Sequence, residues 1–184
     1  MNKADNEKII CAGFGGQGIM VMGKVIAEAA MASGLYVTWL PAYGAEVRGG
    51  TAYAMVCADE KIIANPVVEK ASTAILMNGP SFDKFISSVL PGGLVIVNTS
   101  LVTDIPVLKK VKLAAYPITE EAIKLGNVKV ANMIAVGIYY AKKKIFSEKT
   151  LKEVIHIMAG ERQDLLDVNL RALEKGKELA GGNI

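Results

Sequence analysis

A chain of 184 residues in which 52% are hydrophobic, with a mean hydropathy of +0.34, can close a core without disulfides or metals, and its apolar excess favours contacts with other subunits. The 21 basic and 18 acidic residues leave a net charge of +3 dispersed along the chain, with no arginine-rich arm or basic stripe, which argues against a nucleic-acid partner. Two cysteines are too few for a disulfide framework or an iron–sulfur cluster, and neither a signal-like stretch after Met1–Lys8 nor a run of roughly 20 apolar residues occurs, so a cytoplasmic protein without a membrane span is expected.

The elements follow in chain order. Lys8–Gly13 is an apolar run ending in glycine, and Ile19–Ala32 carries only Lys24 and Glu28 as charges, which predicts a buried strand, a tight turn and a buried helix. Gly34 ends that helix, Leu35–Leu40 reads as the next strand, and Pro41 halts it. This βαβ unit implies parallel strands with a right-handed crossover. Thr51–Ala58 and Lys61–Ala64 around Asp59-Glu60 predict an antiparallel hairpin, and Ser72–Met77 and Leu94–Val97 predict central strands. Between them Ser81 is placed as the cap of a helix reaching about Leu90, stopped by Pro91-Gly92-Gly93.

Val111–Ala115 predicts another strand, and Thr119 with Glu120 and Glu121 opens a helix that ends at Gly126-Asn127. Three helices close the chain: Asn132–Lys142, Ser147–Ala159 with Leu151, Val154, Ile155 and Met158 on one face, and Asp164–Leu179 with Leu166, Leu170 and Leu173 on one face. The expected fold is a single three-layer α/β domain over residues 1–184, with a mostly parallel sheet, a Rossmann-like start and a helical C-terminus.

Gly13-Phe14-Gly15-Gly16-Gln17-Gly18 satisfies G-x-G-x-x-G after a strand and before a helix. Glycine lets backbone approach an anion, and free N–H groups at a helix start favour negative charge; a tight strand-to-helix turn needs glycine as well, so both readings stand. Trp39-Leu40-Pro41-Ala42 sits where a dinucleotide site wants an acid for the ribose, and no P-loop signature is present, so an anion, phosphate or protein-contact loop remains. Tyr43-Gly44-Ala45-Glu46-Val47-Arg48-Gly49-Gly50 follows the second strand, where switch-point ligands bind. There Arg48 either makes a solvated pair with Glu46, worth about 0–1 kcal/mol, or grips a carboxylate or phosphate in bidentate fashion.

Cys11 and Cys57 lie inside apolar runs and read as buried reduced thiols. The single His156 sits beside the apolar face of its helix and is expected to be packed or half-exposed, and the eight methionines fall at core spacings. Asn132, opening a predicted helix, reads as an N-cap or as a buried link between two elements.

Together GFGGQG at Gly13–Gly18, YGAEVRGG at Tyr43–Gly50, Asn65-Pro66, LPGGLVIVN at Leu90–Asn98 and ANMIAVG at Ala131–Gly137 resemble the gamma subunit of the 2-oxoacid:ferredoxin oxidoreductases, most nearly the 2-oxoglutarate enzymes, with the pyruvate and indolepyruvate enzymes similar. Many relatives carry proline where this chain has Ala45. The resemblance implies a complex that converts a 2-oxoacid, coenzyme A and oxidised ferredoxin to acyl-CoA, CO2 and reduced ferredoxin. It places thiamine diphosphate with magnesium on alpha and beta chains and iron–sulfur clusters on partner chains such as a ferredoxin-like delta subunit. For this chain it implies an assembly role without activity of its own, and a homodimer is one form the isolated chain can take. Gly13, Gly15, Gly16, Gln17 and Gly18 would form a phosphate or coenzyme A turn, Tyr43, Glu46, Arg48, Gly49 and Gly50 a partner interface, and Asn132 a structural link. A stand-alone nucleotide- or phosphate-binding regulator is the alternative, and a purely structural partner whose turn touches only protein is a third.

Overall fold

A computed structural model describes residues 6–42 and 51–181. Strand β1 (Glu7–Phe14) carries Ile9, Ile10, Cys11 and Ala12 with no exposed surface, because it runs through the middle of the sheet and is covered on both faces. Helix α1 (Ile19–Ala32) follows and ends at Gly34, whose φ of 84° lets its amide return to the Met31 carbonyl at 2.9 Å.

Next come β2 (Tyr36–Ala42), β3 (Thr51–Asp59), β4 (Ala71–Leu76), α2 (Gly79–Phe85), β5 (Val89–Asn98), β6 (Lys112–Tyr116), α3 (Ile118–Lys124), α4 (Ala131–Lys143), α5 (Glu148–Ala159) and α6 (Gln163–Gly181). The strands form one sheet in the order β2-β3-β1-β4-β5-β6. Pairings of β1 with β4, β4 with β5, and β5 with β6 are parallel, while β3 lies antiparallel between β1 and β2, so five of the six strands run the same way.

The predicted hairpin is thereby corrected. Thr51–Asp59 is one strand, paired on both sides, with Phe14 opposite Thr51 and Tyr36 opposite Asp59, and Lys61–Ala64 is not a strand. Its alternation of small buried residues fits a slot between two neighbours better than a free hairpin arm. The βαβ unit is also modified: β2 runs parallel to β1 but is separated from it by β3.

Two further expectations change. Asn78, not Ser81, caps α2: its Oδ1 accepts the Ser81 amide at 2.9 Å, while the Ser81 hydroxyl is buried without a partner among the described residues. Pro91-Gly92-Gly93 lies inside β5 instead of ending a helix, in an irregular stretch where Ala71 faces Val89 and Thr73 already faces Leu94.

Each face of the sheet has its own core. One, built on Ile9, Cys11, Val56, Ile75 and Ile96, is covered by α1, α3, α4, α5 and α6; the other, built on Ile10, Ala12, Cys57, Leu76 and Val97, is covered by α2 and loops. In α4 every residue from Ala131 to Tyr139 is buried, and Gly137 meets Gly176 of α6 where the two helices cross, each glycine packing on backbone of the other helix. At the lower end of the sheet the buried Glu7 accepts the Thr73 hydroxyl at 2.6 Å and pairs with Lys143 at 2.9 Å.

Candidate functional site

The chain leaves β1 to build β2 and β3 on one side, then returns to build β4, β5 and β6 on the other. The crevice above the C-terminal ends of β1 and β4 is therefore a topological switch point. Gly13–Gly18 lies over it. Gly13 and Phe14 still belong to β1, Gly16 has φ 94°, and Gly18 is the left-handed N-cap of α1, with φ 70° and no side-chain cap.

The turn is partly satisfied from within. The Phe14 amide donates to Gln17 Oε1 at 2.6 Å and the Gln17 amide donates to the Phe14 carbonyl at 3.2 Å. Among the described residues no acceptor bonds the amides of Gly15, Gly16 or Gly18, and Gly15 and Gly16 are exposed. The first turn of α1 adds its own unpaired N–H groups.

Two cavities adjoin the turn. One of about 320 Å³ is lined by Phe14, Gly15, Gly16, Ile19, Val21, Ala42 and Ala52 and is mostly apolar. The other, of about 380 Å³, is lined by apolar Val21, Val25, Met133, Ile155 and Leu165, by polar Lys129, Arg162, Asn127 and Asn169, and by Gly16 and Gly18 of the turn. Sequence reasoning missed Lys129 and Arg162, because they come to line the same cavity as Gly16 and Gly18 only through the packing of α4, α5 and α6 beside α1.

Asn132 is the second residue of α4, not its N-cap, which is Val130. It is buried, its Oδ1 accepts the Met133 amide at 2.8 Å, and its Nδ2 donates to the Gly18 carbonyl at 3.3 Å. The predicted segment Tyr43, Glu46, Arg48, Gly49 and Gly50 lies outside the described residues. Its flanks do not: Ala42 and Thr51 end β2 and begin β3 beside Phe14, at the same end of the sheet as the glycine turn.

The remaining candidates separate from this site. Cys11 and Cys57 belong to the cores on opposite faces of the sheet, so the pair does not fit a shared cluster, and burial pushes the Cys11 thiol up to about 12. Among the described residues no group of three or more His, Cys, Asp or Glu side chains could hold a metal. His156 is exposed on α5, because Leu151, Val154 and Ile155 take the inward face. No described helix is long and apolar enough to cross a membrane.

Fold and site define a doubly wound, Rossmann-like α/β domain with a glycine turn at its switch point. The chain belongs to the pyruvate ferredoxin/flavodoxin oxidoreductase family, whose model matches residues 8–179. It is 33% identical over 178 residues to the ketoisovalerate oxidoreductase subunit VorA of Methanothermobacter thermautotrophicus, covering 96% of this chain but only 37% of that protein. It is 29% identical over 180 residues to the 2-oxoglutarate synthase subunit KorC of the same organism, covering 94% of each.

Among solved structures, it superposes on the 2-oxoglutarate:ferredoxin oxidoreductase from Magnetococcus marinus, determined with 2-oxoglutarate, coenzyme A and succinyl-CoA bound, with a TM-score of 0.88 and 28% identity, covering 98% of this chain and 32% of that one. The keto/oxoacid ferredoxin oxidoreductase gamma subunit from Geobacter sulfurreducens shares the fold, with a TM-score of 0.81 at 24% identity, covering 95% of this chain and 98% of that one. The chain thus spans about a third of the length of some relatives and nearly all of others.

Proposed function

We propose that residues 1–184 form the gamma subunit of a cytoplasmic 2-oxoacid:ferredoxin oxidoreductase, with 2-oxoglutarate as the 2-oxoacid. In that complex alpha and beta chains would hold thiamine diphosphate and magnesium, a ferredoxin-like delta chain would hold iron–sulfur clusters, and ferredoxin would accept the electrons. This chain would complete the assembly and guide coenzyme A. Two matters support the reading: the likeness to a 2-oxoglutarate synthase subunit, 29% identical over 180 residues, and a glycine turn with open amides that shares a cavity lining with Lys129 and Arg162.

The second observation carries the coenzyme A role. A phosphate group needs donors and positive charge around a backbone it can approach, and apolar lining in the same cavity suits the uncharged arm of the same molecule. Tyr43–Gly50 would dock on the thiamine-binding chains, with Arg48 as the polar anchor.

The test is steady-state kinetics of the complex with 2-oxoglutarate, 2-oxoisovalerate and indolepyruvate. The highest kcat/KM is expected with 2-oxoglutarate; preference for either other acid overturns that assignment. Lys129→Gln and Arg162→Gln should raise the KM for coenzyme A by about tenfold while leaving that for the 2-oxoacid unchanged. An unchanged KM for coenzyme A removes the guiding role and leaves a turn that contacts only protein.

A further inference from the structure

We propose that the glycine turn is a preset contact loop and that Gln17, Asn78 and Asn132 are the positioning residues that hold it. The inference rests on the reading of this turn as the element that guides coenzyme A.

Above Met77 the chain of β4 turns into α2, so the edge of β1 beyond Ala12 loses its neighbour; the last exchange is the Met77 amide to the Ala12 carbonyl at 2.8 Å. The Phe14 N–H, next in line, takes Gln17 Oε1 in place of a strand partner. That oxygen also receives Asn78 Nδ2 at 3.4 Å, and Gln17 Nε2 reaches the Met77 carbonyl at 3.5 Å. Asn78 is buried, and because its Oδ1 already caps α2, its amide nitrogen is left for Gln17. Gln17 is thus tied to the end of β4 from both ends of its carboxamide.

The other side of the turn is tied by Asn132. Its Oδ1 is committed to its own helix, which leaves Nδ2 for the Gly18 carbonyl. Space for both side chains comes from the motif itself. A Cβ on Gly13 would stand 2.5 Å from Gln17 Oε1, and one on Gly18 would collide with Asn132 Nδ2. At Gly16 a Cβ would meet nothing within 4 Å, and there the φ of 94° calls for glycine.

The first and last glycines therefore admit this chain's own carboxamides, and only the middle of the loop faces outward. A loop fixed in this way loses little conformational freedom on contact, which favours tight binding.

Amide hydrogen exchange on the intact chain tests the clamp. In Gln17→Met, which keeps the length of the side chain and removes its carboxamide, the amides of Phe14 and residue 17, the two that are hydrogen-bonded within the turn, should exchange about tenfold faster, while those of Val95 and Ile96 in the core keep their rates. Gln17→Glu, which keeps the acceptor oxygen, should restore protection at Phe14. Unchanged exchange in the turn, or an equal rise in turn and core, overturns the proposal.

The KM for coenzyme A in the complex gives the functional readout, expected about tenfold higher for Gln17→Met, with that for the 2-oxoacid unchanged. If Lys129→Gln and Arg162→Gln leave the KM for coenzyme A unchanged, the coenzyme A reading falls, while the exchange result still upholds or overturns the clamp. If those variants raise it and Gln17→Met does not despite a loosened turn, the preset role is wrong.

Discussion

Gly137→Ala probes whether α4 is set by backbone contact with α6. The new methyl group would point at the carbonyl oxygen of Leu173 and stand 3.1 Å from the Cα of Gly176. Neither obstacle is the flexible end of a side chain, so the helices must separate. Overpacking of this kind costs about 1–3 kcal/mol, and the better helix propensity of alanine returns up to about 1 kcal/mol. The net expectation is a loss of about 1–2 kcal/mol, or roughly 2–8 °C in Tm for a chain of this size.

The displacement should also be felt at the site, because Asn132 lies five residues before Gly137 on the same helix and holds the Gly18 carbonyl. Urea unfolding gives the stability change, and exchange at Phe14 and Gln17, whose amides are bonded within the turn, gives the effect on the turn. A variant that melts at or above the wild type would refute the reasoning.

Gly13→Ala should destabilise through its clash with Gln17, and Gln17→Ala should recover part of that loss, since Ile19 Cδ1 and Met77 Cβ remain at 2.6 and 3.0 Å; strictly additive double-mutant melts would count against it. Glu7→Ala should cost about 2–3 kcal/mol by denaturant titration, below the range for a fully buried pair because the Lys143 side chain keeps 25% exposure; a loss under about 0.5 kcal/mol would place the pair among surface contacts. Hydrogen bonds from Lys152 and Lys177 hold the Glu148 carboxyl down from 4.5 to about 2. Its folded-state value is depressed, so its contribution is present above pH 4.5 and is lost as pH falls toward about 2. Stability curves of wild type and Glu148→Gln should therefore converge over that window, and parallel curves would assign the acid sensitivity elsewhere. Arg48→Ala should weaken assembly by roughly 2–5 kcal/mol while the free chain keeps its Tm; equal assembly by titration calorimetry would make Arg48 a solvated residue.

Periodicity and punctuation made much of this fold legible. Glycines at 13 and 34 stand near the ends of β1 and α1, respectively, because each lies where a chain must turn sharply or pack closely, and the apolar faces of α5 and α6 follow from 3.6-residue spacing. The insertion of β3 between β1 and β2 was not legible, since local sequence sets a strand's pattern and not its neighbours. Asn78 left a signal that Ser81 obscured: an asparagine closing an apolar strand, with Pro80 in the first helical turn. The buried Asn98, which donates to the Met77 carbonyl at 3.1 Å and the Thr119 hydroxyl at 2.8 Å, left none, because a polar residue ending a strand reads equally well as exposed. Lys129 and Arg162 lie far from Gly16 in sequence, and only the tertiary packing makes them neighbours of the turn.

The most direct test of the central claim is reconstitution. The chain is added to a preparation of the thiamine-binding and iron–sulfur chains that lacks it, and viologen reduction is followed with 2-oxoglutarate and coenzyme A. The account predicts no activity from this chain alone, and assembly with strong, 2-oxoacid-dependent reduction once it is present. Activity that is the same with and without the chain, or reduction by the isolated chain, would contradict it.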